Sequence, residues 1–349
     1  MQSYGDLFVR FRATDQGIEY DYDLTVSVNG VARATRTPVS SSQSGAALQT
    51  SIAPFLKSRA NQLVNNQTDL ISIVNGNASN VFNAQASEDG ATFDLRLMSD
   101  TGFWAEANGN YAKDGDSRTH YAFGAMGAHI SLNPNFSVGG LVEIDSTSYK
   151  LDGGEMSGTG WMAGPYIVGK LPNQPVFFEA RALYGETSNT LDPGAGGLVL
   201  DGIKTDRWLL QAKVQGAIDY GSVVVKPLFD ASYTRDTMEG YSNGAGTTLA
   251  KESIGLGQVE LGVDFDMPLD VSVGSMMLTG GISGIWSETS ETYANTLETN
   301  FEGSRASVRL GMNYTLENGG QFKVGTYYDG LGASDYNSYG LNLSYGLKF

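Results

Sequence analysis

The chain of 349 residues contains no cysteine. Disulfide frameworks, thiol nucleophiles and Cys-ligated zinc or iron–sulfur centres are therefore excluded. Histidine is almost as scarce, with His120 and His129 alone. They stand nine residues apart with no glutamate at metal-binding spacing, so any His-based zinc site or Ser-His-Asp hydrolase would rest on one of them. Two incidental strand histidines are the simpler expectation. Basic charge is also in deficit: 22 Lys and Arg face 38 Asp and Glu, for a net charge of −16. That balance lacks the footprint of a nucleic-acid binder. No window of about 18 apolar residues occurs, so no transmembrane helix is expected. The opening MQSYGDLFVR lacks the basic-then-apolar order of a signal peptide, which leaves a cytosolic chain or an excised piece of a longer secreted one.

Against a low proline count of 9 stand 45 glycines, and Tyr (18) outnumbers Phe (15). This composition suits sheets with many tight bends. Apolar residues at 41% and aromatics at 11% exclude a disordered chain. The slightly polar mean hydropathy is compatible with a membrane barrel, whose lipid face is hidden in alternation.

Residues 1–37 read as β structure, with Tyr20, Tyr22, Leu24, Val26 and Val28 alternating before an Asn29-Gly30 hairpin turn. Residues 38–46 are a polar linker. A helix follows at about 47–65, where Leu48, Ile52, Phe55, Leu56, Leu63 and Val64 recur at spacings of three to four. Thr50 or Ser51 suits its cap and Pro54 its first turn. Residues 66–100 are mixed, with FDLRL (Phe93 to Leu97) alternating like a short strand.

From residue 101 the pattern becomes regular. Twelve alternating strands fall near 102–113, 118–132, 136–149, 156–171, 175–187, 205–220, 223–236, 252–267, 275–288, 302–316, 320–330 and 337–349. Their connections alternate between short turns, such as Asn133-Pro134-Asn135, and long polar loops, such as STSYKLDGGEMSG. Such sidedness fits periplasmic turns and extracellular loops. In a soluble sandwich the apolar face of each strand would meet a core; in a membrane barrel it meets lipid and the charged face lines the lumen. The strands are longer than sandwich strands, and their apolar faces carry many small residues. The expectation is an all-β fold: a 12-stranded antiparallel transmembrane β-barrel. Glu106, Glu143, Glu179, Arg181, Lys213, Asp230, Glu260, Asp264, Arg305, Arg309 and Lys323 are the expected lumen-lining charges, and Lys57 and Arg59 of the helix the expected partners of the carboxylates among them.

IAPFLKSRANQLVNNQTDLISIV, FWAEANGNYAKDG, NPNFSVGGLVEID, GTGWMAGPYIVGKL, TDRWLLQAKV and YGLNLSYGLKF, in that order, resemble the translocator of bacterial autotransporters, the type V secretion family. The resemblance implies a 12-stranded barrel in the bacterial outer membrane, with a helix running through its lumen to a passenger at the cell surface. Residues 1–37 are then the end of a β-rich passenger, 38–100 the linker with its helix, and 101–349 the barrel. Outer-membrane lipid, the β-barrel assembly machinery and the chain's own passenger are the implied partners of a monomeric barrel; nucleic acid is not among them. The last strand, with Tyr339, Leu341, Leu343, Tyr345, Leu347 and Phe349 on one face, resembles the assembly signal of the family and is expected to close the barrel against the strand near Phe103–Tyr111.

No cofactor and no metal are expected, and no enzymatic role. Asp114-Gly115-Asp116 has too few ligands for a defined calcium loop. Asn65-Asn66 is the one candidate for chemistry: some family members cut their passenger at an Asn pair inside the barrel, and Glu143, Glu179 or Glu260 is placed to assist. The bland alternative is a helix C-terminus, where Asn is common. A stand-alone porin is the second reading of the whole chain, and a soluble all-β binding protein the third. Neither a helix nor a β-rich N-terminal segment belongs in a porin.

The membrane readings carry a direct expectation. The protein should need detergent, resist SDS unheated, and shift in gel mobility on boiling; free solubility without detergent would reject them both.

Overall fold

A computed structural model describes residues 7–15, 18–26, 32–38, 41–74, 81–86, 90–98, 102–114, 117–151, 154–192, 199–242, 248–291, 302–317, 321–333 and 338–346. The N-terminal strands β1 (Leu7–Asp15), β2 (Ile18–Val26) and β3 (Ala32–Pro38) form a separate antiparallel sheet in that order. The expected Asn29-Gly30 turn lies outside the described residues. Helix α1 (Ser41–Asn65) and the short α2 (Leu70–Val74) follow.

The remaining strands are β4 (Val81–Ala86), β5 (Gly90–Met98), β6 (Phe103–Asp114), β7 (Ser117–Asn133), β8 (Phe136–Leu151), β9 (Gly154–Lys170), β10 (Val176–Asp192), β11 (Leu200–Gly216), β12 (Ile218–Tyr220), β13 (Val223–Met238), β14 (Tyr241–Ser242), β15 (Thr248–Leu249), β16 (Glu252–Leu269), β17 (Ser275–Glu291), β18 (Gly303–Thr315), β19 (Gln321–Leu331) and β20 (Ser338–Gly346). Apart from the small β14–β15 hairpin they make one fifteen-stranded antiparallel sheet. Within it the three-residue β12 continues β11 beyond Ala217, leaving fourteen staves. The sheet closes on itself: β11 pairs with β13, β20 with β4, and every stave is bonded on both sides.

All twelve strands read from the pattern are present, and the β4–β5 hairpin adds two more. FDLRL, expected as a short strand, lies in β5. The closing partner is therefore corrected. Leu343 of the last strand faces Ala84 of β4, and β6 is reached only through β5. Alternation identifies a strand but carries no information about its neighbour, and β4 is only six residues long.

Two further expectations change. The helix begins at Ser41, so Pro54 sits inside it, and part of the supposed linker at 38–46 is helical. An interior proline costs about 3 kcal/mol. Burial of Ile52, Phe55 and Leu56 beside it inside the barrel offsets that cost. The long loops are also shorter than the pattern suggested. STSYKLDGGEMSG is mostly ladder, with Lys150 facing Glu155 and Leu151 facing Gly154. Small polar residues beyond the bilayer simply prolong the strands.

The short turns hold the other rim. Asn173 takes a positive φ of 59° in the turn between β9 and β10, whose ends are tied by Leu171 N–H donating to Val176 O at 2.8 Å. Gly221 does the same between β12 and β13 at 65°, a conformation that a side chain disfavours.

Outward residues alternate with inward ones along each stave. On β11, Trp208, Leu210 and Val214 are exposed while Arg207 and Leu209 are buried. Trp161, Tyr184, Trp208, Tyr233, Trp286 and Tyr328 stand exposed toward the long-loop rim, and Phe103, Phe229 and Phe322 nearer the short-turn rim. Aromatic belts bounding an exposed apolar band are the outer surface of a membrane barrel. No helix among the described residues is long and apolar enough to cross a membrane, which says nothing about crossing by strands.

Because the chain has no cysteine, the closure can be tested by cross-linking. Ala84→Cys with Leu343→Cys should oxidise to a disulfide, since directly paired Cα atoms fall in the bonding range. Ala107→Cys with Leu343→Cys should not. The reverse outcome would restore direct pairing of the last strand with β6.

Candidate functional site

The lumen is the candidate site, and α1 fills its upper part. At the long-loop mouth Ile52, Phe55 and Leu56 pack on Met156, Leu191, Leu200, Ile203, Met238 and Ile254. One turn further down, the two cations of the helix reach opposite walls. Lys57 pairs with Glu291 and, at 3.3 Å, with Glu302. Arg59 Nε donates to Asp145 Oδ2 at 2.7 Å and its Nη1 to Asn189 Oδ1 at 2.7 Å. The helix is thus braced between β17–β18 on one side and β8–β10 on the other.

Arg59 enters a larger circuit. Asp145 Oδ1 accepts from Arg207 Nη1 at 3.1 Å, and Arg207 Nε donates to Asp236 at 2.9 Å. Thr205 adds a bond to Asp236 at 3.0 Å and shares a 2.6 Å bond with Thr187, which accepts from Asn189 at 2.9 Å. Arg59 and Arg207 are 1% and 0% exposed. Two guanidinium groups and two carboxylates balance in charge, as a low-dielectric site requires.

Below this circuit the lumen wall turns apolar. Leu63 and Val64 of α1 and Leu70, Ile71 and Ile73 of α2 pack with Trp104, Phe123, Leu141, Met162, Tyr166, Leu183 and Leu209. On the β6–β11 side inward positions alternate between charge and bulk, so apolar side chains stand beside Glu106, Glu143, Glu179 and Arg181. These side chains make the lumen a packed core around the plug. Trp104 Nε1 donates to Tyr166 Oη at 3.1 Å, and His129 Nδ1 lies 3.1 Å from the same hydroxyl. His129 serves as a hydrogen-bond partner there, and His120 is exposed on the outer face. Neither belongs to a metal cluster; among the described residues no group of three or more His, Asp or Glu converges as one.

A second polar tier holds the segment between the helices. Glu143 accepts from Gln67 at 3.2 Å. Arg181 donates to Gln67 Oε1 at 3.0 Å, to the Thr68 carbonyl, and to Glu179 at 2.8 Å. Glu179 also accepts the Ile71 amide at 2.8 Å. Lys213 pairs with Asp69 at 3.1 Å, and Asp69 in turn accepts from the Ser72 hydroxyl.

On the far wall, Arg309 bridges Glu260 at 3.4 Å and Asp264 at 3.0 Å, Arg305 pairs with Asp329 at 3.2 Å, and Asp230 accepts from Gln211 at 3.0 Å. Glu106 is buried on the inner face of β6. The plug touches β8–β10 and β13–β16, and beside α2 lies a cavity of about 550 Å³ lined by Asp69, Lys226, Asp264, Asp266, Arg309 and Tyr327 among others. The side chains of Lys323 and of residues 338–346 lie outside the described residues, as do residues 347–349. The inward or outward facing of Tyr339, Leu341, Leu343 and Tyr345, and the places of Leu347 and Phe349, are therefore not described. Asp114-Gly115-Asp116 lies outside the described side chains too.

Asn65 ends α1, as the Asn pair suggested. Its amide donates to Asn61 at 3.0 Å and accepts from Gln258 at 3.2 Å; Asn66 donates to the Gln62 carbonyl at 2.7 Å. The hydrogen bonds of Glu143, Glu179 and Glu260 go to Gln67, Ile71, Arg181 and Arg309, so none of the three carboxylates engages the pair. Asp145, Asn189, Arg207 and Asp236, which do hold the helix, were not singled out from sequence. The usable signal was faint: each occupies an inward position of an otherwise apolar-and-small alternation.

A closed antiparallel barrel with aromatic belts and a helix descending its lumen from the long-loop rim defines an outer-membrane transport barrel of the secretion type. A sequence profile described as the autotransporter beta-domain matches residues 103–329, and the chain belongs to that family. It is the translocator of an autotransporter, inserted in the bacterial outer membrane. The translocator domain of the autotransporter NalP from Neisseria meningitidis shares the fold at a TM-score of 0.53, with 12% identity over 86% of this chain and 99% of that one. The transport unit of the autotransporter AIDA-I from Escherichia coli gives the same values. No curated protein matches the chain by sequence.

Asp145 sits between two arginines, so Asp145→Ala should strand both. Removing one partner of a buried ion pair costs about 3–5 kcal/mol. The heat-modified transition should fall clearly below wild type, whereas Lys150→Ala, in an exposed pair, should leave it in place.

Proposed function

We propose that the chain exports a β-rich passenger and then anchors it at the cell surface, with α1 retained in the lumen as the tether. The observation that carries this reading is the direction and seating of α1. Its N-terminal half meets the long-loop mouth, its C-terminal end points to the short-turn rim, and both cations are paired with the wall. The β1–β3 sheet just upstream is the membrane-proximal end of that passenger, 38–100 is the linker, and 101–349 forms the barrel. The hairpin β4–β5 of the linker segment contributes staves of its own.

In this reading the barrel works as a monomer and has no catalytic role. The assembly machinery for outer-membrane barrels recognises the terminal strand through Tyr339, Leu341, Leu343, Tyr345, Leu347 and Phe349. Of the inward charges, Glu143, Glu179, Arg181 and Lys213 hold the linker, while Glu106, Glu260, Asp264, Arg305 and Arg309 line the rest of the lumen. Cleavage at Asn65-Asn66 is disfavoured, because the nearby carboxylates are committed to other donors and the Asn65 amide is held by Asn61 and Gln258. A porin would carry neither the braced helix nor the upstream sheet.

The test places an epitope tag ahead of residue 1, downstream of a secretion signal. Intact cells should bind antibody to the tag, and the tag and barrel should run as one band. Deleting residues 338–349 should abolish assembly. A tag released from a band that begins at Asn66 would show self-cleavage, and a tag confined to the periplasm would overturn surface anchoring.

A further inference from the structure

Two glycines in β9, Gly158 and Gly160, point into the lumen directly beneath the Arg59 guanidinium. A Cβ on Gly158 would stand 2.8 Å from Arg59 Nη1, and one on Gly160 2.8 Å from Nη2, closer than Cβ atoms approach in real structures. The same Cβ on Gly160 would stand 2.7 Å from Asp145 Oδ1. An alanine at Gly158 would displace Asn189, whose Oδ1 its Cβ would overlap, together with the guanidinium, and one at Gly160 would displace Asp145 and the guanidinium, so the floor of this notch admits only a flat group. Its rim supplies acceptors on two sides, Asp145 at 2.7 Å and Asn189 at 2.7 Å. The fully buried Arg59 Nη2 has no hydrogen-bond partner among the described residues and lies over the glycine floor.

The charge count is equally specific. With Arg59 in place, two guanidinium groups face Asp145 and Asp236. Without it, two carboxylates share Arg207 alone, leaving a buried net charge of minus one in a slot one guanidinium wide. A lysine ammonium is a point charge that lacks the planar fork needed to meet both acceptors at once.

We propose that Gly158, Gly160, Asp145 and Asn189 form a guanidinium-binding site in the barrel wall, and that its capture of Arg59 sets the depth at which the linker stops in the lumen. The inference rests on the reading of α1 as a retained tether. Lys57 on the opposite wall adds attraction without shape, because its ammonium is a point charge that meets Glu291 and Glu302 at the long-loop ends of β17 and β18. The notch therefore supplies the axial register, and the apolar collar around Phe55 and Leu56 seals the mouth once that register is reached.

The absence of native cysteine makes the position of the helix measurable. Ala60 is buried against the wall one residue below Arg59. In detergent-folded Ala60→Cys protein, maleimide labelling should be slow. Adding Arg59→Ala should speed it about tenfold, equivalent to about 1.4 kcal/mol. Guanidinium chloride in the low millimolar range should slow it again, and sodium chloride at equal ionic strength should not. Arg59→Lys should label nearly as fast as Arg59→Ala. Gly160→Val, which blocks the notch with Arg59 intact, should label fast and be insensitive to guanidinium. Should that variant fail to assemble, the guanidinium rescue of Arg59→Ala decides alone. Wild-type labelling in Arg59→Ala or Arg59→Lys, or equal effects of guanidinium and sodium, would overturn the site. Normal surface display with no rescue would reject the notch and spare the tether; loss of display in the unaltered chain would reject the tether itself.

Discussion

Inside hydrocarbon each unpaired backbone N–H or C=O costs several kcal/mol, and everything else in this molecule follows from avoiding that cost. A sheet that crosses the bilayer must therefore have no edge. Closure is completed by the β20–β4 ladder, a hairpin from the linker segment bonded to the last strand. Widening the ring with β4 and β5 gives two more staves than the alternating region holds. A wider ring encloses more space, and that space must be filled or left to water.

The filling is divided between two kinds of chemistry. Apolar side chains of α1 and α2 pack on Trp104, Leu141, Met162 and Tyr166, as in an ordinary core. Buried charges are gathered into paired sets, where Arg207 and Arg59 face Asp145 and Asp236, and Arg181 joins Glu143 and Glu179 to the linker. Such sets stabilise weakly against an apolar alternative, but they penalise a wrong position heavily. The plug is held between walls: its paired charges reach β8, β10 and β17, while β18 carries ion pairs of its own to β16, such as Arg309 with Asp264.

Much of the fold was legible as text. Alternation located all twelve strands of the regular region, since a strand facing two different solvents repeats every two residues whatever its neighbours are. The helix follows from its apolar spacing, but its start lies at Ser41 rather than at about residue 47, which places Pro54 inside it instead of in its first turn. Local rules put proline in a first turn, while here the surrounding lumen pays for an interior one. Of the hairpin at 81–98, FDLRL of β5 is legible as a strand, whereas β4 is not, because it is only six residues long and its pattern is weak.

Sequence by itself determined the class of the molecule, its periodic wall, its helix and its lack of thiols, because these depend on local period and composition. It also singled out Lys57 and Arg59 as the cations that reach the wall. Only the tertiary structure decided which groups receive them. Asp145, Asn189 and Glu291 lie 86 to 234 positions away from their cations in the chain, and their convergence depends on how many staves close the ring and on its stagger. The notch at Gly158 and Gly160 is likewise invisible in a glycine-rich strand, since a missing Cβ gains meaning only when another side chain is found occupying its place.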